Sequence, residues 1–259
     1  MLTTIFSYKK NSYPFSKEEK EILLKLLNFF KFEIPNGNGS FLSMLDLEKI
    51  EFMWCPKMAL DDSGIFGSWI LTFPNTVFVR PSETSKAFIE KCSEMKLSKS
   101  EQEKYENFKK MSERINLIQF KSLNLNQDML KFVLYLCESD GVMLSTLFHE
   151  LYHKWQYNVS KPLYIINFFL FLFTGYEFST KNRFSIEGDV RIYIDNEGLH
   201  QKLAKFYSTF YSYIFILNKL KTEKDESVLM TLSSQLNDLE NSDRRNFEFS
   251  KKLVDIIKA

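Results

Sequence analysis

Residues 144–155 fit one regular conformation. Leu144, Leu147, Leu151 and Trp155 recur at intervals of three, four and four, which is one face of an α-helix turning about 100° per residue. Roughly opposite them on the same wheel stand His149 and His153, about 40° apart and one turn from each other. Such a helix is expected to pack its apolar back into a core while the histidine side lines a cleft. Any fold for this chain has to provide both surroundings for one helix.

The histidine face has a chemistry of its own. Two imidazoles one helical turn apart can aim nitrogen lone pairs at one point, each about 2.0–2.1 Å from a zinc ion. Glu150 lies about 100° round from His149, beside such an ion and not on it. There a carboxylate can take a proton from metal-bound water and later return it to a leaving amine. The chain has three histidines, and two of them are used by His149-Glu150-Leu151-Tyr152-His153.

A catalytic zinc takes three protein ligands and leaves one position open. The remaining histidine is His200, and no His-x-x-Gly-x-x-His continuation follows, because Gln156 and Val159 occupy those positions. A third histidine ligand is therefore disfavoured, and His200 reads as a surface or partly buried structural residue. The acidic candidates downstream are Glu177, Glu187, Asp189, Asp195 and Glu197. Glu187 is favoured because Phe184 to Arg191 can form a second helix packed on the first, with Gly188 and Val190 compact enough to allow close approach. On it Asp189 could accept the spare N–H of a ligating histidine. Arg191, Tyr193 and Tyr176 are candidate donors to a developing oxyanion by their proximity to this segment.

The rest of the chain reads as mostly helical. Ser16 and Glu19 form a capping box ahead of Ile22, Leu23, Leu26, Leu27 and Phe30, which predicts a helix over 16–32. Asn36-Gly37-Asn38-Gly39 breaks the pattern after it. Residues 49–54 read as a strand, and Trp69–Phe73 and Thr76–Arg80 as two more across a Pro74-Asn75 turn. Residues 82–119 become helical and charged, with Ser100 and Glu103 as a second capping box. Further helices are expected over 127–137, 141–157 and from about 201 onward, where Phe206, Tyr207, Phe210, Tyr211 and Phe215 form an aromatic stripe read as core.

Composition excludes some classes of function. With 34 basic and 33 acidic residues the net charge is +1, so no nucleic-acid groove is expected. Cys55, Cys92 and Cys137 are sparse and far apart, which fits a reducing compartment better than a disulfide framework. No signal peptide is read at the N-terminus, and a cytoplasmic protein is the expectation. The longest apolar run, residues 162–176, falls short of the roughly 20 residues of a membrane span. It reads as a buried core helix, with lipid contact by residues 163–173 as the alternative.

Phe148-His149-Glu150-Leu151-Tyr152-His153-Lys154-Trp155-Gln156-Tyr157 resembles the metal-binding helix of the zincin metallopeptidases. Glu187-Gly188-Asp189-Val190-Arg191 is similar to the element that carries the glutamate third ligand in gluzincins, with Val190 where alanine is commoner. The resemblance covers about residues 45–200. It implies an α+β, predominantly helical zincin-like domain with a small sheet, whose edge strand, here within 69–80, binds a peptide substrate by strand addition. It also implies zinc held by His149, His153 and Glu187, with Glu150 as base and then acid. The organisation expected is an N-terminal helical segment (1–40), a catalytic domain (41–200) and a C-terminal helical extension (201–259). Two other readings stay open: a catalytically silent zincin-fold interaction or structural protein of phage or mobile-element type, and a membrane-associated zinc protease.

Overall fold

The computed structural model describes residues 8–32, 35–61, 65, 67–70, 72–83, 85–115, 120–137, 142–174 and 197–258. Among the described residues, the short strands lie within 13–79, interleaved with two α-helices, and helices alone follow. Strand β1 (Tyr13–Pro14) leads to α1 (Lys17–Phe30), β2 (Glu51–Trp54), α2 (Pro56–Leu60), β3 (Gly67–Trp69) and β4 (Thr76–Val79). Then come α3 (Lys86–Ser93), α4 (Lys99–Ile115), α5 (Gln127–Cys137), α6 (Val142–Val159) and α7 (Lys161–Thr174). The chain ends with α8 (Glu197–Thr222), α9 (Glu226–Ser242) and α10 (Arg244–Ile257). The class is α+β and mostly helical, as the sequence predicts.

The sheet is mixed, in the order β1-β2-β4-β3. β1 runs antiparallel to β2, β2 parallel to β4, and β3 antiparallel to β4, with Trp69 opposite Val77. This makes β3 an edge strand. It is shorter than the sequence suggests and starts earlier. Of the described residues in the run Trp69–Phe73, Trp69 lies in the strand, and Ile70, Thr72 and Phe73 do not. The amide of Phe73 bonds back to the Ile70 carbonyl at 2.8 Å, and that of Thr76 to the Phe73 carbonyl at 2.9 Å. Two successive turns thus use the groups a longer ladder would need.

Local signals place several helix starts. The Ser16 hydroxyl accepts from the Glu19 amide at 3.1 Å while Glu19 accepts from the Ser16 amide at 2.7 Å, the reciprocal box read from the sequence. The box expected at Ser100 stands instead at Ser98, whose hydroxyl accepts from the Glu101 amide and whose amide donates to the Glu101 carboxylate. Both spacings satisfy the Ser-x-x-Glu pattern. Glu101 is settled in the upstream register because it also pairs with Lys57 of α2.

One continuous core joins the N-terminal helix, the sheet, α6 and the C-terminal helices. It contains Leu23 and Phe30, Val77 and Val79, Leu147 and Leu151, Phe206 and Phe210, and Leu253. Burial of each such leucine stabilises the fold by about 1.5–3 kcal/mol. The α8 stripe is core only in part, because Phe206 and Phe210 are fully buried while Tyr211 and Phe215 are 41% and 44% exposed. Leu203 and Ile214 complete the buried side. The five aromatics span more of the helix circumference than its packing partners cover.

The apolar run also departs from the buried-helix reading. α7 buries Tyr164 and packs Phe168 partly against the core, but Leu163, Ile166 and Phe169 are 59%, 58% and 52% exposed. Among the described residues, no helix is long and apolar enough to cross a membrane.

Cys55, Cys92 and Cys137 are free and buried. Burial pushes the Cys55 thiol up to about 11 and Cys92 to about 12, and raises Cys137 as well. At pH 8 a thiol of pKa 11 is thiolate in about one molecule in a thousand. The folded chain should therefore give essentially no thiol signal with a disulfide reagent at pH 8, and three thiols per chain after denaturation. One fast-reacting thiol in the native protein would contradict this.

Candidate metal centre

The site is built on α6. Leu144, Leu147 and Leu151 are buried, and Trp155 packs against the same core, so the helix seats its apolar back as the wheel requires. The other side carries Ser145, His149 and His153 at successive turns. This face is covered more than the sequence suggests. Glu150 is 8% exposed and His153 5%, with His149 half-buried. β3 and α7 provide the cover.

The two histidine rings converge. Nε2 of His149 and Nε2 of His153 are 3.0 Å apart, with ring centroids at 4.7 Å and planes at 76°. Two nitrogens about 2.0–2.1 Å from a tetrahedral zinc stand roughly 3.3–3.4 Å apart. The pair would need to open by only a few tenths of an ångström. Nδ1 of His153 lies 2.9 Å from the Oε1 of Gln156. An amide oxygen can only accept, so in this contact Nδ1 of His153 is the donor, and Nε2 is the ring nitrogen that faces His149. The two Nε2 atoms are spaced as two ligands of one zinc ion would be, after that small opening. Gln156 is thus a hydrogen-bond partner for the Nδ1 of His153, the kind of contact the sequence also allows for Asp189.

Glu150 is held from the sheet. Its Oε2 accepts the Trp69 amide hydrogen at 2.5 Å, joining the edge strand to the helix between the two histidines. The approach is close because Gly67 has no side chain. A Cβ there would meet Thr146 Cγ2 at 2.6 Å and Glu150 Cγ at 3.3 Å. The Trp69 ring stands edge-on to Tyr164 of α7 at 5.3 Å, and Tyr164 in turn lies 6.2 Å from the His153 ring. Lys154 reaches across to the Asn75 side-chain oxygen at 3.1 Å, fixing the loop after β3 to the same helix. Burial, with Lys161 adding its charge, lowers the Lys154 pKa from the usual lysine value.

His200, near the start of α8, is half-buried with its Nε2 2.7 Å from the Ser145 hydroxyl, one turn before His149. That contact ties α8 to the histidine face. Among the described residues, no group of three or more His, Cys, Asp or Glu side chains is placed to hold a metal ion. Within those residues His200 thus does not complete the set. Glu177, Glu187, Asp189, Arg191, Tyr193, Tyr176 and Asp195 lie outside the described residues. Glu197 opens α8.

The structure brings together His149, Glu150 and His153. Sequence reading missed Gln156 as a partner of His153, although an i,i+3 glutamine after a histidine is a visible signal. It also missed the Trp69 amide, Gly67 and the Ser145–His200 contact, which depend on pairings 55 to 83 residues apart in the chain. Compared with protein-family models, curated proteins and solved structures, the chain matches none of them.

The tight seat of β3 is testable. Gly67→Ala should destabilise the protein by about 1–3 kcal/mol, the usual cost of overpacking. Thr146→Ser removes the methyl that the new Cβ meets and should restore most of that loss in the double variant. Thermal unfolding of the four proteins measures this, and additive losses would show that the strand is not seated against Thr146.

Proposed function

We propose that the chain is a zinc-dependent metallopeptidase. The observation that carries this reading is the convergence of the His149 and His153 Nε2 atoms, with Gln156 accepting from Nδ1 of His153 and Glu150 held between them. His149 and His153 would hold the ion, and Glu187 is the proposed third ligand. When bound, zinc would polarise a water molecule and the scissile carbonyl.

The residues of the chain account for the other roles. Glu150 takes the proton from the attacking water and delivers it to the leaving amine nitrogen. The Trp69 amide fixes one carboxylate oxygen, so the base does not have to be oriented anew in each cycle. A substrate would bind in extended form along the 69–80 segment, pairing with groups other than the Trp69 amide, which is given to Glu150. Cover by β3, Tyr164 and Trp69 limits water around Glu150, which strengthens its interactions. Tyr193, with Arg191 and Tyr176, is kept as a proposed oxyanion donor.

Glu150→Gln keeps an oxygen that can accept from the Trp69 amide but cannot act as a base. It should retain about one zinc per chain and lose roughly 10²–10⁴-fold in cleavage of a mixed peptide library. Glu187→Ala should lose zinc. Retained cleavage in the first variant would refute the mechanism, and undiminished zinc in the second would move the third ligand elsewhere. Stoichiometric zinc with no turnover by the unaltered protein would favour the silent structural alternative.

A second reading, the same enzyme held at a lipid surface, is favoured by one observation. Leu163, Ile166 and Phe169 form an exposed apolar row along α7, beside the site. On this reading the protein pellets with phosphatidylcholine–phosphatidylglycerol vesicles and Ile166→Glu does not. A protein that stays in the supernatant removes this reading and leaves the enzyme proposal untouched.

A further inference from the structure

A cavity of about 440 Å³ opens at the β1–β2 end of the sheet, away from the β3–β4 end that packs on α6. Its volume falls within the range of small-molecule sites, about 300–1,000 Å³. The walls are aromatic: Tyr13, Phe15, Trp54, Phe132 and Tyr135. Phe15 stacks on Trp54 at 4.1 Å, and Phe132 stands edge-on to both rings at 5.7 and 5.9 Å, so these walls brace one another.

The polar ends of these rings are turned to protein partners. The Tyr135 hydroxyl donates to the Arg80 carbonyl at 2.8 Å, the Tyr13 hydroxyl meets Ser85, and the Trp54 indole N–H donates to Glu19. With these groups engaged, the aromatic residues line the cavity mainly with apolar ring surface.

Charge supplies the second half of the argument. Glu19 and Asp128 both line the cavity. Glu19 accepts from the Ser16 amide at 2.7 Å and from Trp54, both neutral donors. Among the described residues, neither Glu19 nor Asp128 has a lysine or arginine within ion-pairing distance. Two lysines also line the cavity: Lys86 faces Glu90 at 3.6 Å, and Lys131 stands one turn after Asp128 on α5, which leaves three carboxylates against two ammonium groups. Burial raises the Glu19 carboxyl above its usual value, and the charges of Glu18 and Asp128 raise it further. A cation beside Glu19 would offset these effects.

We propose that this cavity is a binding site for a small organic cation, an ammonium compound carrying apolar groups. The aromatic faces attract the cation through their quadrupoles and cover its carbon groups. Glu19, assisted by Asp128 at the mouth, supplies the countercharge. The site shares no lining residue with the histidine pair, so it is independent of the metallopeptidase reading.

The test is calorimetric titration of the full chain with benzyltrimethylammonium chloride, and with benzyl alcohol as the uncharged aromatic control. The cation should bind saturably and at least about tenfold more tightly than the alcohol, since tenfold corresponds to about 1.4 kcal/mol. Glu19→Gln keeps one oxygen that can accept from Ser16 and Trp54 and should weaken cation binding about tenfold, with circular dichroism confirming the fold. Asp128→Asn changes an exposed side chain outside the cap and should weaken binding severalfold. Absence of saturable binding, equal affinity for cation and alcohol, or unchanged affinity in both variants would overturn the proposal.

Discussion

The arrangement of the site depends on one hydrogen bond, from the Trp69 amide to the Glu150 carboxylate. An edge strand has backbone donors with no strand beside them, and a helix face with a buried carboxylate needs a donor. Each element supplies what the other lacks. The bond forms only if β3 comes within reach of α6, which Gly67 permits. It also requires β3 to end where it does, and the back-to-back turns through Phe73 and Thr76 bring that about. Once this distance is set, Tyr164 and Trp69 can close over His153.

The same bond explains why a carboxylate can sit 8% exposed beside two imidazoles. Removing one partner of a buried polar pair costs about 1–3 kcal/mol, and more where one of them is charged. The position of Glu150 is thus set by the fold as well as by its proposed chemistry. Gln156 does for His153 what Trp69 does for Glu150: each is held at one atom by a neighbour that takes no part in the proposed chemistry.

How far the sequence reached can be argued residue by residue. The α6 wheel was fully legible because its leucines and histidines are neighbours through 3.6-residue periodicity alone, and α5 and the Ser16 cap were legible for the same reason. The Ser98 cap was misplaced by two residues because Ser98 and Ser100 satisfy one local rule equally, and a tertiary contact from Lys57 to Glu101 breaks the tie. The strand over 69–73 failed for another reason. Trp69 to Phe73 has β composition, yet Ile70 and Phe73 fill a small core with Phe78 from a turn, so composition reported burial and not extension. The aromatic cavity left no local trace at all, because Glu19, Trp54, Asp128 and Tyr135 meet only through the sheet and α5.

Two helices that follow α6 in the chain brace it at different points. α7 leaves the C-terminal end of α6 and packs back through Tyr164, on the side of His153. α8 begins at Glu197 and is fastened by His200 to Ser145, on the side before His149. The stripe from Ser145 to His153 spans eight residues of helix, about 12 Å at 1.5 Å per residue, so the contacts through Tyr164 and His200 hold α6 at two points about that far apart. With β3 fastened between them through Glu150, the histidine face is braced along its whole length by three separate elements, and none of these contacts is local in the sequence.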